Sequence, residues 1–150
     1  LTEKENKKTK PLSCDALSFV RTYDFRLIPR RLLDQVKGSS FDYDALMEHG
    51  AGICMHENQL LYVMVDEDNI IHGILWAEYS PINNWVYVNT LSVDPEYQDG
   101  RVIERSIEHL RDELKESITN SRIVMGTTRP DAYEKQGFKK MNTSLMEIEL

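Results

Sequence analysis

The spacing of apolar positions changes twice along this chain, and each change marks a change of element. Between Cys14 and Val36 the apolar residues fall at helical intervals, but in pieces. Leu17, Val20 and Asp24 mark one face, and Pro29 then fits the first turn of a second short helix that carries Leu32, Leu33 and Val36 and closes at Gly38. A third helical piece is expected from Asp42 to His49, ended by Gly50. From Leu60 the period drops to two. Leu60 to Val65, Ile70 to Tyr79 and Trp85 to Val93 read as strands, separated by the polar groups Asp66–Asn69 and Ser80–Asn84. Turns this short join antiparallel neighbours, so a meander is predicted.

Pro95 stops the last of these strands and the helical period returns. Ile103, Ile107, Leu110, Leu114 and Ile118 recur every three or four residues, which predicts an amphipathic helix from Arg101 to Ile118 with charged residues on its other face. A short strand follows at Arg122 to Gly126, then a turn or two of helix at Pro130 to Lys135. Phe138 to Met141 and Ser144 to Leu150 read as a final pair of strands turned at Asn142-Thr143. The strands on either side of the long helix should lie parallel, linked by a right-handed crossover. The pattern as a whole predicts an α/β or α+β fold, a mixed sheet crossed by one long helix.

The chain's 150 residues suit one domain, with residues 1–10 as a flexible tail and 11–150 as a single folded unit. That tail has no hydrophobic residue from Thr2 to Lys10 and carries four lysines against two glutamates. The whole chain carries −7, so the body beyond the tail is acidic at −9. An acidic body lacks the clustered positive field that phosphate backbones need, which excludes a nucleic-acid partner. The longest apolar run, Leu60 to Val65, is far too short to span a membrane. No charged-then-apolar signal segment opens the chain, and its two cysteines, Cys14 and Cys54, cannot build a disulfide framework. A reduced, cytoplasmic protein is expected. The sequence begins at Leu1 rather than Met, which leaves room for a missing initiator or a longer upstream piece.

The most informative segment is Leu91-Ser-Val-Asp-Pro-Glu-Tyr-Gln98, where a strand ends at a proline and a loop runs straight into a helix start near Arg101. Such a junction leaves backbone N–H groups unpaired at the positive end of a helix dipole, an arrangement suited to a pyrophosphate. The same junction also occurs as a plain crossover without ligand. This segment resembles the strand-to-loop element of the GNAT N-acetyltransferases, and Arg101 to Leu110 aligns without gaps to that family's cofactor-loop helix. Ala132-Tyr-Glu-Lys-Gln-Gly-Phe138 resembles the family's Tyr-Glu-Lys-x-Gly-Phe signature. Leu145 to Leu150 is similar to its last strand, and Asp66 to Ile74 to its acidic hairpin. The resemblance covers about residues 60–150, with four pieces in the right order.

The resemblance implies a GNAT-like, mostly antiparallel mixed sheet with the helix 101–118 at its centre, and an acetyl-CoA site. The pantetheine arm would lie along Leu91, Ser92 and Val93, and the pyrophosphate on the loop formed by Gln98, Asp99, Gly100, Arg101, Val102 and Ile103. Tyr133 falls where the family's general acid stands; its plain reading is a half-buried packing residue. The sequence departs from the family at two places. Arg101 and Ile103 occupy the two Gly/Ala positions of the loop, with Gly100 one residue early, and Asn89 stands where a carboxylate base is often found. Glu78 on the neighbouring strand is the remaining candidate base, acting through water.

Two functions follow: an acetyl-CoA-dependent N-acyltransferase acting on an amine, small molecule or protein, or a catalytically inactive GNAT-fold protein with a structural or binding role, as a homo-oligomer or with an assembly partner. Other side chains carry less. Cys54 and His56 lack an orienting third group. His49, His56, His72 and His109 have no metal-ligand spacing, and no metal is expected. Trp76, Tyr79, Trp85 and Tyr87 are expected in the core, and Asp66–Asp68 as a solvated turn.

Overall fold

The computed structural model describes residues 12–35, 43–53, 56–116, 121–127 and 129–150. The expected tail, Gly38, Cys54 and Ile118 lie outside the described residues. Five strands form one sheet in chain order: β1 (Ser18–Arg21), β2 (Gln59–Val65), β3 (Ile71–Ser80), β4 (Trp85–Val93) and β5 (Arg122–Met125). The first three pairings are antiparallel and β4–β5 is parallel, as the meander and crossover predicted. Among the described residues four helices complete the fold: α1 (Arg30–Asp34), α2 (Tyr43–Ile53), α3 (Val102–Leu114) and α4 (Pro130–Glu134).

Every residue of β2 is buried, because helices cover both faces of the sheet. On one face Leu32 and Leu33 of α1 and Leu46 of α2 pack with Leu61, Val63, Ile74 and Trp76. On the other, Leu110 of α3 packs with Leu60, Tyr62, Leu75, Val86 and Val88. Leu110 is 1% exposed, whereas Ile107 and Leu114, also expected in the core, are only partly buried.

Three expectations are corrected. The helical reading of Leu17 to Asp24 gives way to β1, flanked by 3₁₀ turns at Cys14–Ala16 and Phe25–Leu27. Four residues are too few to display a period, and pairing of Phe19 and Val20 with Met64 and Val63 decides their conformation. The long helix starts at Val102, with Arg101 as its N-cap, and ends at Leu114 with Lys115 as C-cap. The final strand pair does not form. Residues 138–150 pair with no strand, and Leu145, Met146, Ile148 and Leu150 stand in solvent. Period-two alternation gives a segment the capacity to pair, but without backbone hydrogen bonds to a neighbour it forms no strand. Among the described residues no helix is long and apolar enough to cross a membrane.

Candidate active site

The site begins with a fault in the sheet. Trp76 pairs with Thr90 and Ala77 with Val88, so Asn89 is an extra residue on β4. A bulge of this kind bends the strand and exchanges its faces. Val86 and Val88 point toward α3, while Thr90 and Ser92, paired with Trp76 and Ile74, point toward α1 and α2. The ladder between β4 and β5 stops at the same place, with Val88 opposite Met125. Beyond it, β4 has no strand partner on the β5 side among the described residues. An apolar cleft opens there, with Val88, Leu91, Ile103, Ile107, Met125 and Tyr133 among its walls.

The sequence-predicted residues divide around this cleft. Leu91, Ile103 and Tyr133, which lie far apart in the chain, meet in it. Burial holds the Tyr133 phenol above its ordinary range, outweighing the lowering effect of Arg129, and the ring meets Phe138 edge-on with centroids 5.7 Å apart. A phenol in this setting stays protonated at neutral pH and is a proton donor. Glu78 is not in the cleft. It pairs with Tyr87 on the α1/α2 face of the sheet, 3.5 Å from Asn58 Nδ2.

The loop leading into α3 is held by its own contacts. Gln98 Nε2 donates to the carbonyl of Val93 at 3.1 Å. Gly100 takes φ +84, a conformation that favours glycine, with nothing within 4 Å of where a Cβ would stand. Asp99 accepts from the N–H of Arg101 at 3.1 Å and of Cys14 at 3.0 Å. Burial alone would raise its pKa, but the hydrogen bond from the Cys14 thiol, with those from the two N–H groups, prevails and holds it at about 2. Burial, reinforced by Asp99, pushes the Cys14 thiol up to about 11, so it is no nucleophile at neutral pH.

No side chain caps the start of α3. The Arg101 guanidinium turns away to Asp15 at 2.6 Å and Glu104 at 3.4 Å. Arg105, one turn on, reaches the carbonyls of Cys14 and Leu17. The side chain that stands at the first of the loop's two Gly/Ala positions is thus bound to the segment before β1.

Sequence reading missed the polar knot beneath this loop. Asp94, 6% exposed, accepts from Arg31 Nε and Nη2, both at 2.8 Å, and meets His72 Nδ1 at 2.9 Å. Asp66, expected as a solvated turn residue, meets His72 Nε2 at 2.7 Å and accepts from the N–H groups of Asp68 and Ile70. These contacts tie α1 and the β2–β3 turn to the end of β4. His72, Asp94 and Glu96 offer ligand atoms within 4.8 Å of one another. Arg31 already engages both oxygens of Asp94, however, and Asp66 holds the other nitrogen of His72, so the group is an ion-pair network. No local sequence signal marks it, because Asp94 lies 22 residues from His72 and 63 from Arg31.

No protein-family model matches the chain, and no curated protein matches it in sequence. Solved structures do match its fold. AAC(6')-Iy, in complex with a CoA bisubstrate analogue, superposes with a TM-score of 0.67 at 12% identity, covering 89% of this chain and 98% of that one. Glucosamine-6-phosphate N-acetyltransferase from Arabidopsis thaliana gives 0.62 at 15% identity, covering 88% and 97%. A predicted acetyltransferase from Clostridium acetobutylicum, solved with acetyl-CoA, gives 0.65 at 16% identity, covering 88% and 96%. The strand order and the parallel β4–β5 pair, together with these neighbours, give the chain the fold of the GNAT acetyltransferases.

Proposed function

We propose that this chain binds an acyl-CoA thioester, with acetyl-CoA as the natural probe, and transfers the acyl group to an amine. One observation carries the reading: β4 leaves β5 at the Asn89 bulge, and the opening is an apolar cleft with Tyr133 in its wall. In this reading the pantetheine arm pairs with the exposed edge of β4 at Leu91 to Val93. The pyrophosphate takes the uncapped N–H groups at the start of α3, reached over Gln98 to Ile103, with open space at Gly100 for close approach.

The acceptor amine attacks the thioester carbonyl, the C–N bond forms and the C–S bond breaks. Tyr133 gives its proton to the departing thiolate and takes one back from solvent, while the amine proton leaves to water. The cleft supplies no carboxylate from β4, where Asn89 stands. Positioning the amine beside the thioester therefore provides most of the rate enhancement. Glu78 would serve, through water, an acceptor approaching from the α1/α2 face. The acidic body favours a cationic acceptor.

The alternative, a non-catalytic GNAT-fold protein, is favoured by the Arg101–Asp15 ion pair, which engages the loop's guanidinium internally. Calorimetry with acetyl-CoA, followed by thiol release in the presence of polyamine and aminosugar acceptors, separates the two. Binding with acceptor-dependent thiol release supports the transferase. Binding without release under every acceptor favours a binding role, and no heat with acetyl-CoA removes the cofactor site altogether.

A further inference from the structure

His72 owes its position to a second fault in the sheet. Met64 pairs with Gly73 and Val65 with Ile71, so His72 is an extra residue on β3. A bulge re-aims the side chain it carries. Ile71 packs against the α1/α2 core, while the imidazole of His72 reaches Asp66 on the turn before β3 and Asp94 at the end of β4. Nδ1 stands 2.9 Å from Asp94 and 3.7 Å from Glu96, and Nε2 stands 2.7 Å from Asp66. Arg31 on α1 holds both oxygens of Asp94 and the carbonyl of Ile71. The Tyr97 ring lies 4.7 Å from the imidazole, centroid to centroid. Among the described residues these are the charged and titratable groups that face the ring.

One carboxylate on each ring nitrogen decides the charge of the ring. An ionised carboxylate only accepts, and an imidazole donates from both nitrogens only when protonated. The imidazolium fits this geometry and the neutral ring does not. Burial works against the charge, but the hydrogen bonds to Asp66 and Asp94 prevail and hold the proton above the ordinary histidine range. When the proton leaves, one bridge must open. Nδ1 faces two carboxylates, and that of Asp94 is buried, so the remaining N–H stays there. The more exposed Asp66 can turn to water.

We infer that His72 is a proton-operated latch that positions the loop leading into α3: charged, it ties the β2–β3 turn to the end of β4, and neutral, it keeps Asp94 and releases Asp66. The loop is anchored on this residue. The N–H of Asp94 donates to the His72 carbonyl at 2.7 Å, and the N–H of Tyr97 donates to the Asp94 carbonyl at 2.9 Å. Loss of the ring's charge also leaves Asp66, Asp94 and Glu96 with Arg31 as the remaining cation, which makes this end of the sheet more negative toward an incoming phosphate. The charged form therefore binds acetyl-CoA more tightly, a consequence that rests on the acyl-CoA reading above. By reciprocity, bound acetyl-CoA holds the proton on His72.

Ring-nitrogen NMR on the full chain with isotope-labelled histidine tests the latch, with His72→Gln assigning the signal. Without ligand, His72 should carry protons on both nitrogens at about pH 6 and pass to the form protonated at Nδ1 as pH rises. Amide exchange at Asp68 and Ile70, whose N–H groups donate to Asp66, should quicken about threefold beyond its ordinary alkaline rise over the same interval. A ring already neutral at that pH, a neutral form protonated at Nε2, or exchange that follows the ordinary rise overturns the latch. Acetyl-CoA should then raise the titration midpoint of His72, and its affinity should fall roughly threefold on deprotonation, a fall absent from His72→Gln. Binding indifferent to the charge of the ring overturns the positioning role. No binding at any pH defeats the acyl-CoA reading instead, and the ring and exchange results on the free chain still decide the latch.

Discussion

Nδ1 of His72 stands 2.9 Å from Oδ2 of Asp94, directly before the turn that leads into α3. Burial opposes a charged imidazole here, but the hydrogen bonds to Asp66 and Asp94 prevail, and His72 titrates above its ordinary 6.5. Hydrogen bonds from Arg31 hold Asp94 below 3.8 against burial, and those from His72 and Ile70 do the same for Asp66. A raised histidine pKa contributes stability that is full below 6.5 and lost as pH rises through the folded value. Lowered carboxylate values contribute stability that is full above 3.8 and lost as pH falls through theirs. The melting temperature should therefore be highest between about pH 4 and about pH 6.5 and decline on both sides. His72→Gln should flatten the alkaline decline selectively; an unchanged alkaline slope in that variant would show that the imidazole does not couple to folding.

Leu110 anchors α3 to the sheet at 1% exposure. Leu110→Asp places an unpaired charge among Tyr62, Leu75 and Val86 and should cost on the order of 3–5 kcal/mol in urea unfolding. Leu114→Asp, at a partly buried position, should cost clearly less.

If Tyr133 donates the proton to the leaving thiolate, Tyr133→Phe should lower the turnover of acetyl-CoA with amine by roughly 100-fold and leave the calorimetric affinity for CoA nearly unchanged. Equal losses in affinity and turnover would mark the ring as a packing residue of the cleft.

Asp15 competes with any anion for Arg101. Asp15→Asn should release the guanidinium toward the loop and tighten CoA binding by roughly threefold at low salt, with the gain shrinking as ionic strength rises. Weaker binding in this variant would mean that Asp15 shapes the loop that CoA requires.

The elements most legible in the sequence are those whose burial repeats at a fixed interval over several turns or pleats. β2, β3, β4 and α3 fall within a few residues of their expected bounds for that reason. β1 was illegible because four residues with an alternating half-exposed pattern carry no period of their own. α2 runs on through Gly50 and Gly52 to Ile53, where a glycine was expected to stop it, because a glycine weakens a helix by only about 1 kcal/mol and does not by itself end one. The resemblance singled out Leu91 and Tyr133, which the fold brings to one cleft. The His72–Asp94–Arg31 knot was not, since its partners are brought together only by the sheet and α1.

Asn89 gives the sheet something a crystallographer of metals would call a dislocation: one row carries one more unit than the row beside it. Such a fault is topological. Replacing Asn89 or its neighbours changes the lining of the gap but cannot heal it, because the count of residues between Ala77's partner and Trp76's partner stays the same. Removing the residue would join Thr90 directly to Val88, leave Leu91 and Val93 opposite Leu75 and Gly73 on the face they already occupy, and let the strand run flush with its neighbours. The opening thus tolerates substitution and is sensitive to insertion and deletion, and single-residue length changes in β4 are where this architecture breaks first.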